Sequence, residues 1–439
     1  MKLILGFCIP LLLGNLFQQF YSMVDTIIVG RYLGVNALAA VGSTGSVNFF
    51  IIGFCMGVCS GFAIPIAQKF GAGDFAGLRR FVANSVWLSI VFAIVMTIVT
   101  TAACRSILVL MRTPDDIIDQ AYAYIFVIFL GIPVTYLYNL LSGIIRSMGD
   151  SKTPLIFLVI AAVLNIILDL LFVIKLGMGV SGAAWATVIS QGVSGVLCLL
   201  YMKGKYEILK ITKEEWQADK HFMVTLCNMG VPMGLQYSVT AIGSVILQSA
   251  VNSLGSVAVA SVTAASKVSM FMMCPFDAMG STMATYGGQN VGAGKLDRLG
   301  SGIKSCTAIG MIYSVMALGI VLAAGRYLLL LFVDGSETVI LGDALRFLII
   351  NICFYALLAL VNIVRFMIQG MGFPRFAVLA GVFEMAARSF AGFVLVPVFG
   401  FEAACFGNPF AWLMADIFLI PAYFHVVKKL KGMFVETVS

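Results

Sequence analysis

Charged side chains are scarce in this sequence of 439 residues. Asp, Glu, Lys and Arg together make up 11% of the chain, whereas a soluble domain carries about 25%. Hydrophobic residues make up 61%, and the mean hydropathy is +1.04. This composition excludes an ordinary soluble domain, and we predict an all-α polytopic membrane protein.

Histidine is nearly absent, which weighs against an enzyme. The sequence has two histidines, His221 and His425, and both fall near predicted cytoplasmic helix ends. An intramembrane protease would need a nucleophile with a histidine partner. We therefore expect no catalytic residues.

Motifs for nucleotides and metals are also lacking. The Gly-Ala-Gly turns at 71–73 and 292–294 follow no predicted strand and lack the G-K-[ST] ending of a phosphate-binding loop. The ten cysteines show no paired metal spacing, so we predict neither a disulfide framework nor a zinc site. We expect no cofactor, and uphill transport would then be driven by an ion gradient.

Twelve apolar segments are long enough to cross a bilayer. They cover about residues 3–29, 40–66, 82–103, 118–144, 154–174, 180–202, 222–250, 257–286, 303–324, 343–368, 376–397 and 403–427. We predict twelve transmembrane helices in two six-helix lobes.

The two halves align as a tandem repeat. A charged segment, 203–220, divides the spans six and six, which predicts an N-terminal lobe at 1–202 and a C-terminal lobe at 221–439. Three motifs of the first half recur in the second half at one constant distance, the distance from Gly34 to Gly255, which we call the repeat spacing. The matching pairs are Y-L-G with S-L-G, Q-K-F-G-A-G with Q-N-V-G-A-G, and G-V-S-G-A-A with G-F-E-A-A-C. Because six spans is an even number, we expect the lobes to be related by a pseudo-two-fold axis along the membrane normal.

Lysine and arginine are concentrated at the termini and in the connections that follow even-numbered spans. This bias predicts a multi-pass protein of the plasma membrane with both termini cytoplasmic. The net charge of +7 then reflects topology and gives no reason to expect nucleic-acid binding. In the charged linker, Thr212 and Glu215 have capping-box spacing, which predicts a short interfacial helix with Trp216 on its apolar side.

The first span carries a polar stripe. Gly14, Gln18, Tyr21 and Asp25 are spaced four, three and four residues apart and share one helical face, and Pro10 can bend the same helix. An acid at membrane depth costs at least ~2.5 kcal/mol on insertion scales, so a chain that keeps one usually binds a proton or an ion there. The alternative is an acid that reaches interfacial water.

The fifth and sixth spans bring further polar groups to the depth of Asp25. Asn165 and Asp169 are four residues apart, and Thr187 lies on the next span. Asp25, Asp169 and Thr187 each lie six residues from an outer turn, about 9 Å below the outer boundary. These four residues predict a proton site or an oxygen cage for Na⁺. Alternatively, they tie helices together.

The second lobe offers a different set of charged residues. Lys267 and Asp277 lie in the eighth span, and Glu384 and Arg388 form an i, i+4 pair in the eleventh. A self-neutralised pair favours a structural role over a coupling role. Asp416 is a further acid of this lobe. Methionines of the eighth span, among them Met270 and Met273, suggest an adaptable cavity, although in so apolar a chain such a cluster is more often plain packing.

The chain resembles the multidrug and toxic compound extrusion (MATE) family over essentially its whole length, and three stretches carry the resemblance. They are I-P-L-L-L-G-N-L-F-Q-Q-F-Y-S-M-V-D-T-I-I-V-G-R-Y-L-G, R-S-M-G-D-S-K-T-P from Arg146, and G-G-Q-N-V-G-A-G from Gly287. The resemblance is greatest to the DinF-like branch and implies export of organic, often cationic, compounds in exchange for H⁺ or Na⁺.

The resemblance also implies site residues. The acid of the first helix in that branch matches Asp25, the Asn and Asp of the fifth match Asn165 and Asp169, and the Thr of the sixth matches Thr187. The match further implies a substrate cavity lined by Gln18, Tyr21, Tyr124 and Asn139. The NorM-like branch has acids in its seventh and tenth helices, and neither span offers one at membrane depth here, which argues against Na⁺ coupling of that kind in the second lobe.

We therefore interpret the chain as a monomeric secondary antiporter of small organic compounds that works by rocking-type alternating access. A lipid-linked precursor flippase of the wider superfamily is the alternative. A flippase would line its cavity with several basic residues to hold a pyrophosphate, whereas the candidate cavity is acidic and rich in amides.

Overall fold

The structure is a computed structural model that describes residues 1–111 and 113–438, with the side chains of Val35 and residues 434–438 outside the description. The described residues form helices joined by short turns, with no strand among them. In chain order the α-helices are α1 Lys2–Leu33, α2 Val35–Ser43, α3 Gly45–Ala72, α4 Phe75–Leu110, α5 Ile118–Leu130, α6 Ile132–Ser147, α7 Lys152–Asp169, α8 Val180–Lys205, α9 Lys220–Asn252, α10 Ser256–Gly292, α11 Asp297–Leu329, α12 Thr338–Cys353, α13 Tyr355–Gly370, α14 Pro374–Phe390, α15 Val396–Phe399 and α16 Phe401–Val438.

Twelve membrane spans result from these helices. Ten are single stretches, of which two contain a π-helical segment, and two are bent pairs. The axes of α5 and α6 differ by 45°, and those of α12 and α13 by 50°. The predicted class, an all-α polytopic membrane protein with twelve spans, is confirmed.

The backbone repeats the same special conformations in both halves. The left-handed φ angles of Gly34, Gly73 and Gly179 are 90°, 70° and 64°. Those of Gly255, Gly294 and Gly400, each one repeat spacing later, are 100°, 68° and 60°. Because other L-residues rarely adopt these angles, glycine is needed at these helix ends.

The π-helical segments follow the same repeat. Leu170–Lys175 extends α7, and Ala391–Leu395 extends α14, starting one repeat spacing later. The two bent spans also correspond, since one break follows Leu130 and the other follows Cys353. The tandem repeat inferred from short sequence matches is thus present in the backbone itself.

Packing divides the chain into two compact units whose boundaries differ from those of the predicted lobes. Unit 1 comprises Met1–Leu12 with Val239–Ser439, and unit 2 comprises Leu13–Ser238. The first turns of α1 therefore belong to unit 1, where the Cys8 side chain bonds that of Thr282. The predicted lobes, 1–202 and 221–439, are defined by the number of spans in each, and that division of the chain remains a prediction.

Within unit 2, the first half of α9 packs tightly on α3. A Cβ placed on Gly61 would lie 2.4 Å from the Cα of Gly230, and one placed on Gly57 would lie 2.6 Å from the Met233 carbonyl oxygen. Each helix has a G-x-x-x-G pair at this crossing, which lets the backbones touch. The contact fixes α9 to the first-half helices.

The predicted interfacial helix of the linker is wrong. Thr212 and Glu215 do form a capping box, in which Thr212 N donates to Glu215 Oε2 at 2.9 Å and Glu215 N donates to Thr212 Oγ1 at 3.4 Å. The segment they begin is a turn and not a helix. α9 follows from Lys220, and Asp219 caps its start, with its Oδ1 accepting from His221 N at 2.8 Å.

Side chains of α4 hold the linker instead. Arg79 forms a bidentate pair with Glu215, and the Trp87 indole donates to the Trp216 carbonyl at 2.9 Å. Burial raises the pKa of Glu215, but the hydrogen bond from the Thr212 backbone and the pairing with Arg79 outweigh burial, and the net effect lowers it. The linker is thus part of unit 2.

Asp150 orders the turn between α6 and α7. Its Oδ2 accepts from Thr153 Oγ1 at 2.7 Å and from the hydroxyls of Tyr201 and Tyr206 at 3.3 and 3.2 Å. Its Oδ1 accepts from the backbone N–H groups of Lys152 and Thr153. Burial alone would raise the pKa of this carboxyl, but the bonds from Thr153 and the two tyrosines outweigh it and lower the pKa.

Candidate ion and substrate site

Two buried carboxyl groups meet inside unit 2. Asp25 on α1 is 8% exposed, Asp169 at the end of α7 is fully buried, and the carboxyls lie within hydrogen-bonding reach of each other. Oδ1 of each acid is buried and has no donor among the described residues. A carboxylate only accepts, so a hydrogen bond between the two requires a proton on one of them.

Asn165 and Thr187 complete this cluster. The Asn165 amide fits best with its nitrogen donating to Asp169 Oδ2 at 3.2 Å and its oxygen accepting from Thr187 N at 3.3 Å. In this orientation both ends of the buried amide are satisfied, as buried amides require. The Thr187 hydroxyl donates to the Ala183 carbonyl at 3.2 Å. The structure thus brings together all four residues predicted from their spacing and depth.

The local backbone explains how Asp169 reaches Asp25. Asn165 and Asp169 share one face of α7, and the helix changes to π geometry at the next residue, Leu170. Such segments are frequent at functional sites because the extra residue per turn re-aims side chains. The spacing predicted the shared face, but the π segment has no signal in the sequence.

Two of the four predicted cavity residues, Tyr21 and Tyr124, interact with the acids, and a third, Gln18, bonds Tyr21. The Tyr21 hydroxyl bonds the Gln18 side chain, one turn from Asp25. The Tyr124 hydroxyl is close enough to Asp25, Tyr21 and Asp169 to interact electrostatically with each of them. Gln18 is exposed and Tyr21 is partly buried, so the polar stripe of α1 runs from an open surface to the buried acid.

The fourth predicted cavity residue, Asn139, has a local partner. Its amide nitrogen donates to the Thr135 carbonyl one turn back on α6 at 2.8 Å, and its place in the cavity stays a prediction. The sequence reasoning missed the neighbouring Tyr138, which interacts with Tyr21 and Arg146. A tyrosine beside polar residues on a membrane helix was the available signal.

Pro10 is buried inside α1, and the helix continues through it. It lies two residues before Leu12, where the helix passes from unit 1 to unit 2. A proline removes one backbone hydrogen bond and crowds the preceding turn. Its helix-bending role remains a prediction.

The predicted pair of the second lobe, Glu384 and Arg388, is part of a triad with Arg365. Arg388 Nη1 lies 3.3 Å from Glu384 Oε2, and Arg365 of α13 binds Glu384 Oε1 as well. All three are at least 95% buried. The sequence prediction missed Arg365, because the acid that it binds lies on another helix. One carboxylate shared by two guanidinium groups is typical of a structural link.

Of the other predicted charged residues of the second half, Lys267 and Asp277 lie outside this triad, whereas Asp416 interacts with it. Lys267 and Asp277 are both exposed on α10. Asp416 on α16 is 3% exposed, interacts electrostatically with Arg365, and has no hydrogen-bond donor among the described residues. No contact joins Lys267 to Asp277 in the part of the chain that the structure describes.

Known proteins resemble this chain along most of its length. A family model named MatE matches residues 10–171 and again residues 232–401, once in each half. The probable multidrug resistance protein YoeA of Bacillus subtilis (strain 168) is 29% identical over 388 residues, which is 86% of this chain and 83% of YoeA. The probable multidrug resistance protein YpnP of the same organism is 28% identical, covering 78% of this chain and 77% of YpnP.

Solved structures have the same fold. A crystal structure of MATE in complex with MaL6 is 25% identical, with a TM-score of 0.92 over 98% of this chain and 97% of that chain. The outward-facing conformation of a multidrug resistance MATE family transporter is 24% identical, with a TM-score of 0.91 over 98% of this chain and 96% of that one.

Proposed function

The chain belongs to the MatE family of multidrug efflux transporters, and we propose that it exports organic, often cationic, compounds in exchange for H⁺. Members of this family are membrane transporters and not enzymes, and the chain is a multi-pass membrane protein. Its assignment to the DinF-like branch remains a prediction.

The buried pair of Asp25 and Asp169 is the observation that supports this function most. One shared proton can supply the hydrogen bond between these two carboxyls, whose Oδ1 atoms have no donor among the described residues. Release of that proton would leave two negative charges close together in a buried place, which is unfavourable without a cation nearby. An organic cation in the cavity beside Gln18, Tyr21 and Tyr124 can supply the positive charge.

Na⁺ fits these residues less well than H⁺. The amide oxygen of Asn165 accepts from Thr187 N and is turned away from Asp169, toward which its nitrogen points. Two carboxylates and the Thr187 hydroxyl then remain as oxygen donors, fewer than the full oxygen shell that hard cations such as Ca²⁺ and Mg²⁺ take up. We propose the proton as the coupling ion for this reason.

Exchange requires that the proton and the exported compound favour opposite states of the transporter. A ligand with equal affinity for both states shifts nothing, however tightly it binds. Competition for Asp25 and Asp169 supplies this opposition, and bending of α1 near Pro10 would link it to alternating access. We place the protein in the plasma membrane as a monomer with both termini cytoplasmic.

The flippase alternative needs a basic cavity. The buried arginines of the second half, Arg365 and Arg388, both bind Glu384. Their charge is therefore engaged inside the protein and does not favour binding of a pyrophosphate. The names of the relatives YoeA and YpnP, as probable multidrug resistance proteins, support export of drugs.

Export of ethidium from proteoliposomes tests this function. A pH gradient and a Na⁺ gradient are imposed separately on wild type, Asp25→Asn, Asp169→Asn and the control Asp119→Asn, whose carboxylate is exposed beside Arg105. We expect export by wild type and the control under the pH gradient alone, and loss of export in both site variants.

Other outcomes would contradict the proposal in distinguishable ways. Export under the Na⁺ gradient alone would replace H⁺ with Na⁺. Unchanged export in both site variants, with normal insertion and monodisperse elution, would make the carboxyl pair structural. No export of ethidium or other organic cations under either gradient would favour the flippase.

A further inference from the structure

Unit 1 contains a cavity of about 150 Å³ that the transport chemistry above does not use. Three aromatic side chains, Phe347, Tyr355 and Trp412, and the thioethers of Met270 and Met273 form its walls. The Tyr355 and Trp412 rings meet at a centroid distance of 6.0 Å and an angle of 62°. An apolar cavity of about this volume accepts a benzene ring. The walls therefore suit one aromatic ring.

The hydroxyl groups of Tyr355 and Ser269, two residues that line this cavity, bond each other. Tyr355 is fully buried, and neither hydroxyl has a further hydrogen-bond partner in the described ranges. Because each hydroxyl carries one proton, one of the pair donates to the other, and the second proton is left without an acceptor. The polar end of the cavity therefore offers hydrogen bonds that a bound molecule can complete.

The amides of the cavity are held in one orientation by a chain of hydrogen bonds. Arg388 Nε donates to Asn408 Oδ1 at 3.3 Å, Asn408 Nδ2 donates to Asn351 Oδ1 at 3.4 Å, and Asn351 Nδ2 donates to the Cys405 carbonyl at 3.2 Å. The positive charge of Arg388 stays behind Asn408 and is paired with Glu384. Each side chain that lines the cavity is uncharged.

The cavity has an entrance on α10. Ser266 and Met270 both line it and are exposed, Met270 to 45%. Methionine adapts to irregular shapes because it is unbranched and flexible. A small molecule can therefore enter past a movable side chain and reach Ser269 and Tyr355 behind it.

We propose that this cavity is a binding site for single-ring, uncharged aromatic compounds that carry a hydroxyl group. The ring packs against the wall formed by Tyr355, Trp412 and Phe347, and the hydroxyl bonds Tyr355 and Ser269. The site belongs to unit 1 alone and does not depend on the acids of unit 2. It distinguishes ligands by a hydrogen bond and not by charge.

Fluorescence of Trp412 gives a direct readout. The chain has four tryptophans, so replacing Trp87, Trp185 and Trp216 with Phe leaves Trp412 as the sole emitter. The probes are 4-nitrobenzyl alcohol and 4-nitrotoluene, which differ by the hydroxyl group and quench tryptophan through the same nitro group. Titrations are done on the full chain in nanodiscs, with calorimetry on the wild type as a second measurement.

We expect saturable quenching by 4-nitrobenzyl alcohol, with affinity about tenfold higher than that for 4-nitrotoluene, the value of one net hydrogen bond. Tyr355→Phe and Ser269→Ala should each reduce this preference. The control is Tyr313→Phe, since the Tyr313 hydroxyl already donates to the Met272 carbonyl at 2.9 Å and does not line the cavity.

Several results would overturn the site. Equal affinity for the two probes would show a merely apolar gap, and unsaturable quenching would show partition into lipid. An unchanged preference in Tyr355→Phe and Ser269→Ala would reject the assigned hydroxyls. Tighter binding of 4-nitrobenzoate or 4-nitrobenzylamine would reject selection of uncharged ligands.

Discussion

At the scale of single residues, the Asp150 carboxyl joins the α6–α7 turn to the end of α8. Five donors converge on its two oxygens, from the α6–α7 turn and from Tyr201 and Tyr206 near the end of α8. These bonds favour the ionised carboxyl and lower its pKa. A group with a lowered pKa stabilises the fold above its unfolded value and loses that contribution as the pH falls.

We predict that Asp150→Asn lowers the apparent melting temperature at neutral pH, because removing a partly buried charged acceptor costs about 1–3 kcal/mol. The difference from wild type should be constant above about pH 5, well above the ordinary Asp value, and narrow in stronger acid. Thermal shift of the purified protein across this pH range measures it.

Asp119→Asn is the matched control, since its carboxylate is 80% exposed beside Arg105. Exposed ion pairs contribute about 0–1 kcal/mol, so this variant should melt like wild type. A pH-independent loss in Asp150→Asn would mean that volume and not charge holds the turn.

Sequence reasoning could place Asp25, Asn165, Asp169 and Thr187 together because helical spacing and depth are visible in the chain. It could not orient the Asn165 amide, which depends on the Thr187 backbone in a neighbouring helix. It also missed Arg365, because spacing identifies partners within a helix and not across helices.

At the scale of helices, the crossing of α3 and α9 depends on glycines, which have no side chain to separate the two backbones. A Cβ on Gly61 would approach the Gly230 Cα to 2.4 Å, a distance that only a backbone shift can relieve. We predict that Gly61→Ala lowers stability by about 1–3 kcal/mol. Urea or thermal unfolding in detergent measures the loss.

Gly319→Ala is the control for this crossing. Gly319 lies inside α11, and a Cβ there would meet nothing within 4 Å. Alanine favours a helix over glycine by about 1 kcal/mol, so this variant should be neutral or more stable. Equal effects of the two substitutions would show that helix propensity and not packing decides.

Helix boundaries followed well from hydrophobic length, whereas their irregularities did not. The bends after Leu130 and Cys353 and the π segments after Asp169 and Phe390 leave no signal in the hydrophobic pattern. The linker shows the opposite error, since a local capping box was present but tertiary bonds from Arg79 and Trp87 selected a turn.

At the scale of the whole molecule, the two halves share a backbone but not a chemistry. One repeat spacing after Asp25 and Asp169, the chain has Ile246 and Phe390. Conversely, Val163 and Ile167 stand in the first half where Glu384 and Arg388 stand in the second. The repeat therefore preserves turns and bends, and each half has acquired its own polar cluster.

This divergence predicts different consequences for stability. Glu384→Gln leaves Arg365 and Arg388 buried without their shared carboxylate, and breaking a buried pair costs about 3–5 kcal/mol. We expect a large fall in melting temperature, partly recovered in the double variant Glu384→Gln, Arg388→Gln. Asp25→Asn should melt close to wild type, because it removes a charge from a site that lacks donors.

Transport by the Glu384 variants completes this comparison. If the triad is structural, the recovered double variant exports ethidium under a pH gradient. Loss of export in a double variant that folds normally would assign the second half a part in coupling.

The placement of the first turns of α1 in unit 1 affects the order in which the protein matures. Cys8 leaves the ribosome early, but its partner Thr282 lies on α10 in the second half. At synthesis rates of about 5–20 residues per second, the interval is on the order of tens of seconds. During that time Cys8 lacks the Thr282 side chain that it bonds in the folded protein. These turns of α1 are therefore made long before the helix of the second half that they contact.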